Sequence, residues 1–175
     1  DDVAIVTSVE HDHIDIYPDA DVYEAQFAEL AKRMPQGGLM VCDAHDKRVR
    51  EIVSAHATCR TAFYALEGDD TGTVTPTWLG APVAIDEAGL QPFDLYAGGV
   101  YVGRLTMQVP GAHNVRNAIA AIAACAEGFG APISSLKTAL ASFAGVKRRQ
   151  DLLGVPNGVR VYDDFAHHPT AVDET

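Results

Sequence analysis

Four short segments of the chain hold residues whose types and spacing suit chemistry. In Val161-Tyr-Asp-Asp-Phe-Ala-His-His-Pro-Thr170, two aspartates, two histidines and a proline follow a short apolar run from Val159 to Tyr162. An aspartate delivered at the end of a strand can orient an arginine, accept from a ribose hydroxyl or hold a metal, although Pro169 can equally just open a helix. In Gly111-Ala-His-Asn-Val-Arg-Asn117, the two asparagines share one helical face. Each side chain offers a donor and an acceptor, the pair of functions that matches the edge of a purine; an ordinary N-cap role for Asn114 is the plainer alternative. Lys147-Arg148-Arg149 can grip phosphate or stack on a flat ring, or can simply be a solvated charge run. His11-Asp12-His13-Ile14-Asp15 offers imidazole and carboxylate, both ligands for divalent cations, but at a spacing that matches no closed zinc site.

The elements that must position these groups follow from hydrophobic periodicity. Val3–Val9, Leu39–Cys42 and Thr61–Leu66 read as buried strands. Helices are predicted over Asp21–Arg33, with Val22, Phe27, Leu30 and Ala31 at helical spacing, and over Lys47–His56. This alternation predicts an α/β fold with a parallel sheet. From Gly68 to Gly103 the chain is rich in Gly, Thr and Pro, and antiparallel strands are expected, the last over Val102–Val109. Two further helices are predicted: Asn114–Phe129, stopped by Gly130, and Pro132–Phe143. A basic loop over Gly145–Asp151, a turn at Asn157-Gly158 and a final buried strand close the reading. The expected domain boundary lies between Ala144 and Gly154.

Composition narrows the class. The 175 residues suffice for one domain with a sizeable core. A formal net charge of −11 argues against nucleic acid as partner, because phosphate neutralisation needs clustered Lys and Arg. No apolar run approaches the roughly 20 residues that span a bilayer, so no membrane partner is expected. Three cysteines without a CxxC pair fit a reducing compartment and so a cytoplasmic location. The chain starts Asp1-Asp2-Val3-Ala4 and ends five residues beyond Thr170, and both ends read as cut inside a fold.

Taken in series, the four segments resemble the Mur ligases, the ATP-dependent amide-bond-forming enzymes of peptidoglycan assembly. Asp12-His-Ile-Asp15 resembles the family's Asp-His-x-Asp, His113-Asn-Val-Arg-Asn117 its adenine-site helix, Gly145-Val-Lys-Arg-Arg149 its domain-junction loop, and Asp163 to Thr170 the start of its C-terminal domain. The resemblance implies that residues 1–147 are the C-terminal portion of a central ATPase domain, a parallel sheet with helices plus a small antiparallel section. Residues 148–175 would then begin a Rossmann-like C-terminal domain. It implies ATP and Mg2+ as cofactors, with His13 at the metal and His113, Asn114 and Asn117 at the adenine. Arg148, Asp164 and His167 would reach the nucleotide from the junction. The implied reaction turns a substrate carboxylate into an acyl phosphate, which an amine then attacks.

The implied substrates are UDP-N-acetylmuramate and a peptide or amino acid. Phe165-Ala166 is closer to the recycling branch, which adds L-alanyl-γ-D-glutamyl-meso-diaminopimelate, than to the L-alanine-adding branch, which more often has Tyr-Gly there. Phe27 stands where some branches carry a magnesium-supporting lysine. The chain contains no Gly-x-x-x-x-Gly-Lys-Ser/Thr, the sequence that cradles phosphate. That cradle and an acidic metal ligand are expected upstream of Asp1, and residues 1–175 alone are expected to lack ligase activity. A non-catalytic nucleotide-binding module on the same fold is the rival reading.

Overall fold

The strand-forming runs pair in the order in which they occur. In the computed structural model, which describes residues 2–173, β1 (Val3–Val6), β2 (Leu39–Asp43), β3 (Arg60–Leu66), β4 (Trp78–Pro82), β5 (Gln91–Ala97) and β6 (Val100–Met107) form one six-stranded sheet. β1 to β4 are parallel neighbours, with Leu39 level with Val3 on one side and with Arg60 on the other. β4–β5 and β5–β6 are antiparallel. The Gly/Thr/Pro-rich region therefore differs from expectation in one respect. Its first strand adds in parallel to β3, and only its other edge is antiparallel. Val83–Ile85, an apolar piece there, forms no strand.

β2 is buried along its whole length, as a central parallel strand must be. Its period of two divides the molecule into two layers. Leu39 and Val41 face a core built with Tyr64, Phe93, Leu95, Leu105 and the helix α3 (Ala112–Ala123). Met40 and Cys42 face a second core with α1 (Ala20–Arg33) and α2 (Lys47–His56). Ile119 of α3 lies so close to Gly80 of β4 that a Cβ there would collide with its Cδ1. Truncating the fully buried Ile119 to alanine would cost about 2–5 kcal/mol. α1 begins on an Asp19 cap that accepts the Val22 N–H at 2.8 Å and ends on Lys32 and Arg33, the charge order that suits the helix dipole.

α3 starts two residues before the predicted Asn114, and its last turn widens to a π-turn over Ala124–Gly128. Gly130, with φ of +67°, ends it as expected. α4 (Ile133–Ser142) packs beside it on the first core. The final strand, β8 (Val161–Asp163), is a correction: it is not buried. Val161 and Tyr162 are exposed, because β8 pairs only with β7 (Asp151–Gly154) in a separate antiparallel ribbon. β7 falls inside the segment read as a basic loop and boundary. Asn157, with φ of 50°, makes the turn between them. A short helix, α5 (Pro169–Asp173), follows. Among the described residues no helix is long and apolar enough to cross a membrane.

Candidate functional site

Parallel strands deliver their carboxyl ends to one edge, and polar loops gather there. A cleft of about 1180 Å3 opens at that edge. Its lining comes from the loop after β1, the end of β2, the first turns of α3, the 145–150 loop and the segment 164–171.

The loop after β1 is held from below. The Asp46 carboxylate caps α2 by accepting the Val49 N–H at 3.0 Å and also accepts the Val9 N–H at 2.9 Å. Glu10 and Asp12 line the cleft. His13 does not; it stands on exposed, left-handed backbone (φ 55°), and its N–H donates to Asp12 Oδ1 at 2.7 Å. That backbone bond is the main reason the Asp12 carboxyl lies below its ordinary range.

α3 opens without a side-chain cap. Its N-cap is Gly111 at φ of +109°, where a Cβ would come within 2.9 Å of the His113 ring; glycine is required on both counts. Asn114 is thus not the cap. It lies in the first turn, and its Nδ2 donates to Pro110 O at 2.7 Å. This fixes the amide orientation and turns its carbonyl oxygen to other partners. His113, Asn114 and Asn117 all line the cleft.

Between the asparagines, Arg116 also lines the cleft, with its partner Asp43, but its guanidinium is committed to carboxylates. Its guanidinium donates to both oxygens of Asp69, at 2.7 and 3.0 Å, and to both of Asp43, at 3.2 and 3.3 Å. Asp69 also accepts the Leu66 N–H, and Asp43 the His45 N–H. The two carboxyls respond differently. Burial pushes Asp43 up, and the His45 N–H and Arg116 only partly offset it. Burial also pushes on Asp69, but the hydrogen bonds from Arg116 and Leu66 and the Arg116 charge outweigh it and hold Asp69 below its ordinary value. Sequence reading did not single out this cluster. A carboxylate closing a buried strand, with an arginine inside the Asn-x-x-Asn run, was the available signal.

The 145–150 loop is shaped by two left-handed residues, Arg148 at φ of 60° and Gln150 at 51°, on either side of Arg149. Both guanidiniums lie by the Phe165 ring, Arg148 at 4.8 Å and Arg149 at 5.8 Å from its centre, and they differ in what else they reach. Arg148 is 3.7 Å from Asp163 Oδ2, outside the cleft lining. Arg149 lines the cleft. Asp164 splints the loop: Oδ2 accepts the Gln150 N–H and Oδ1 the Ala166 N–H, each at 2.7 Å. These two backbone bonds, with smaller help from the Arg149 and His113 charges, hold the Asp164 carboxyl below its ordinary range.

The two ends of the described chain meet at the mouth. Thr170 Oγ1 donates to Glu10 Oε1 at 2.6 Å, and His168 Nδ1 lies 3.5 Å from the same oxygen. His167 is not a lining residue. Its Nδ1 contacts Phe165 O at 2.9 Å, and its Nε2 lies 3.9 Å from Asp12 Oδ2. Of the residues singled out from sequence, His113, Asn114, Asn117 and Asp164 are thus brought together on one lining, while His13, Arg148 and His167 stand beside it.

The arrangement has amides for a planar heterocycle, an arginine for an anion, and a volume large enough for a nucleotide. It suits a magnesium ion less well. Among the described residues no three His, Cys, Asp or Glu side chains converge as a cation site, and Phe27 packs on Tyr23 at a ring distance of 5.2 Å in the second core. The described residues do not by themselves fit the metal.

Comparison with known proteins identifies relatives of this chain and of its fold. The model of the Mur ligase middle domain matches residues 1–125. A UDP-N-acetylmuramate–L-alanine ligase of Clostridium acetobutylicum is 32% identical over 173 residues, covering 99% of this chain and 36% of its own length. A murein peptide ligase structure from Psychrobacter arcticus is 26% identical with a TM-score of 0.67, covering 97% of this chain and 33% of that one. MurF from Acinetobacter baumannii superposes with a TM-score of 0.79 at 19% identity, over 98% of this chain and 36% of that one, a likeness of fold. The chain thus spans just over a third of the curated relative's length. With its parallel sheet, its polar cleft at the carboxyl edge and this match over its first 125 residues, the chain belongs to the Mur ligase middle domain family.

Proposed function

We propose that the cleft takes an adenine nucleotide, and that the full protein uses ATP to join UDP-N-acetylmuramate to an amine through an acyl phosphate, in the cytoplasm. The observation that carries this is the convergence on one lining of Asn114 and Asn117 from α3 with Arg149 and Asp164 from the 145–171 segment. An asparagine amide can donate to purine N7 and accept from the adenine N6 amine. The Asn114 carbonyl and the whole Asn117 amide would serve that edge. Arg149 would stack on the base or offset phosphate charge, since a guanidinium does both. Asp164, held ionised, keeps the loop in place and can accept from a ribose hydroxyl. Within this reading residues 1–147 are the ATP-binding portion and 148–175 open a second domain; Asp1, Glu174 and Thr175 in that division lie outside the described residues. ATP gripped from both sides would be shielded from water when the parts close, which protects an acyl phosphate from hydrolysis. Magnesium, when bound, would offset phosphate charge.

The amine is assigned to L-alanine on the strength of the Clostridium acetobutylicum relative. A second reading, addition of a peptide, is favoured by Phe165-Ala166 and by the likeness to the Psychrobacter arcticus murein peptide ligase. The test is phosphate release by the full-length protein with ATP, UDP-N-acetylmuramate and either L-alanine or the tripeptide. Release with L-alanine alone supports the first reading, and release with the tripeptide alone replaces it with the second. Nucleotide binding with no release under either condition contradicts the ligase and leaves a binding module.

A further inference from the structure

Arg116 is a costly residue to place where it is. Its side chain is about four-fifths buried, with the guanidinium between two carboxylates that come from different elements, Asp43 at the end of β2 and Asp69 in the turn after β3. A buried ion cluster adds little net stability over apolar side chains of the same volume, because desolvation offsets the attraction. What such a cluster adds is direction. A planar fork bonded to four carboxylate oxygens holds its helix at one rotation and one height.

That rotation matters for this helix. α3 starts on a glycine with no side-chain cap bond, so what holds its first turns is the Asn114–Pro110 bond, the buried Val115 and Ile119, and the Arg116 fork. Asn114 and Asn117 lie on either side of Arg116 in sequence, and all three line the cleft, but the Arg116 fork is taken up by Asp43 and Asp69 while the asparagine amides are not. With side-chain tips about 6 Å from the helix axis, a rotation of about 20° would swing an amide by about 2 Å, enough to break a hydrogen bond.

We propose that Arg116, through Asp43 and Asp69, is a positioning residue for base recognition: it sets the rotation of α3 at which Asn114 and Asn117 meet the adenine edge. The assignment rests on the proposed adenine site. Inosine is the discriminating probe, because it presents an oxygen where adenosine presents the N6 amine, and only correctly aimed amides tell the two apart.

The experiment measures adenosine and inosine affinities of the chain, together with its thermal unfolding, for the unaltered sequence, Arg116→Met and Arg116→Lys. Methionine keeps much of the volume without the fork, and lysine keeps the charge but not the planar bidentate geometry. Both variants are expected to fold, to bind adenosine about tenfold more weakly, the equivalent of one lost hydrogen bond, and to lose most of the preference over inosine. If Arg116→Met does not fold, Arg116→Lys decides alone. Variants that keep the adenosine preference, or that lose both nucleosides equally, overturn the positioning role and leave the adenine site standing. An unaltered chain that does not prefer adenosine overturns the site itself.

Discussion

Asp164 accepts the backbone N–H of Gln150 at 2.7 Å and so ties the basic loop to the end of β8. With the Phe165 N–H donating to Arg148 O at 2.9 Å, Arg149 is held between two bonds, one on the residue before it and one on the residue after it. The bond to the Ala166 N–H on the other Asp164 oxygen completes the splint.

That splint has a pH signature. The folded carboxyl of Asp164 lies below its ordinary value of 3.8, first through the Ala166 and Gln150 N–H bonds. A depressed folded pKa contributes order that is full above the unfolded value and fades as pH falls through the folded one. The Gln150 amide resonance, followed by NMR during acid titration, should shift with a midpoint below 3.8. A midpoint above 3.8 would show that the carboxylate is not held by these bonds.

The two arginines of the loop should separate on mutation. Arg149→Ala is predicted to weaken ADP binding about tenfold or more, as expected for a charged hydrogen-bond partner. Arg148→Ala removes its contact with Phe165 and should cost about 0.5–1 kcal/mol of local order with less than about threefold change in affinity. Calorimetric titration of both variants checks this; the reverse ranking would assign the nucleotide to Arg148.

Asp69→Asn should be more damaging than Asp43→Asn. Asp69 gives Arg116 its shortest bonds and a carboxylate held down, and its loss leaves a largely buried guanidinium on a carboxylate that burial already penalises; a cost of about 2–3 kcal/mol follows, discounted for partial exposure. Asp43 is pushed up by burial, so its neutral replacement should cost under about 1 kcal/mol at pH 7. Urea unfolding of the two variants gives the comparison, and equal losses would mean that the guanidinium is shared evenly.

Cys42 should be chemically silent. It is fully buried, and burial, with Cys59 and Asp43 nearby, pushes its thiol up to about 12, so thiolate is scarce at neutral pH. Alkylation at pH 8 should label Cys59 and Cys125 first and reach Cys42 only when the chain unfolds. Labelling of Cys42 at the rate of Cys59 would contradict the packing of the second core.

Much of the scaffold was legible because its signals are local. Lys47–His56 matches the observed helix end to end, since Asp46 caps it and a β-strand rhythm surrounds it. The parallel part of the sheet was legible too, from the buried strand at Leu39–Cys42 and its alternation with helices. The π-turn after α3 was not, because Gly128 lies against Val3 of β1, a contact more than a hundred residues away in sequence. The exposure of Val161 and Tyr162 was hidden for the opposite reason: an apolar run reads as buried whether or not a neighbour covers it. Within the site, Asn114 and Asn117 were visible by spacing. Arg149 was masked by Arg148, because what else each reaches, rather than residue type, separates them. Arg116, Asp43 and Asp69 are joined only by the fold.

The central claim is that α3 and the 145–171 segment together form an adenine site. Titrating the 15N-labelled chain with adenosine tests it most directly, through the side-chain amide resonances of Asn114 and Asn117 and the backbone amides of Arg149, Gln150 and Ala166. The account predicts that all of these shift together along one saturable curve, and that inosine shifts them less. Saturable shifts confined to other parts of the chain, or none at millimolar adenosine, would contradict it.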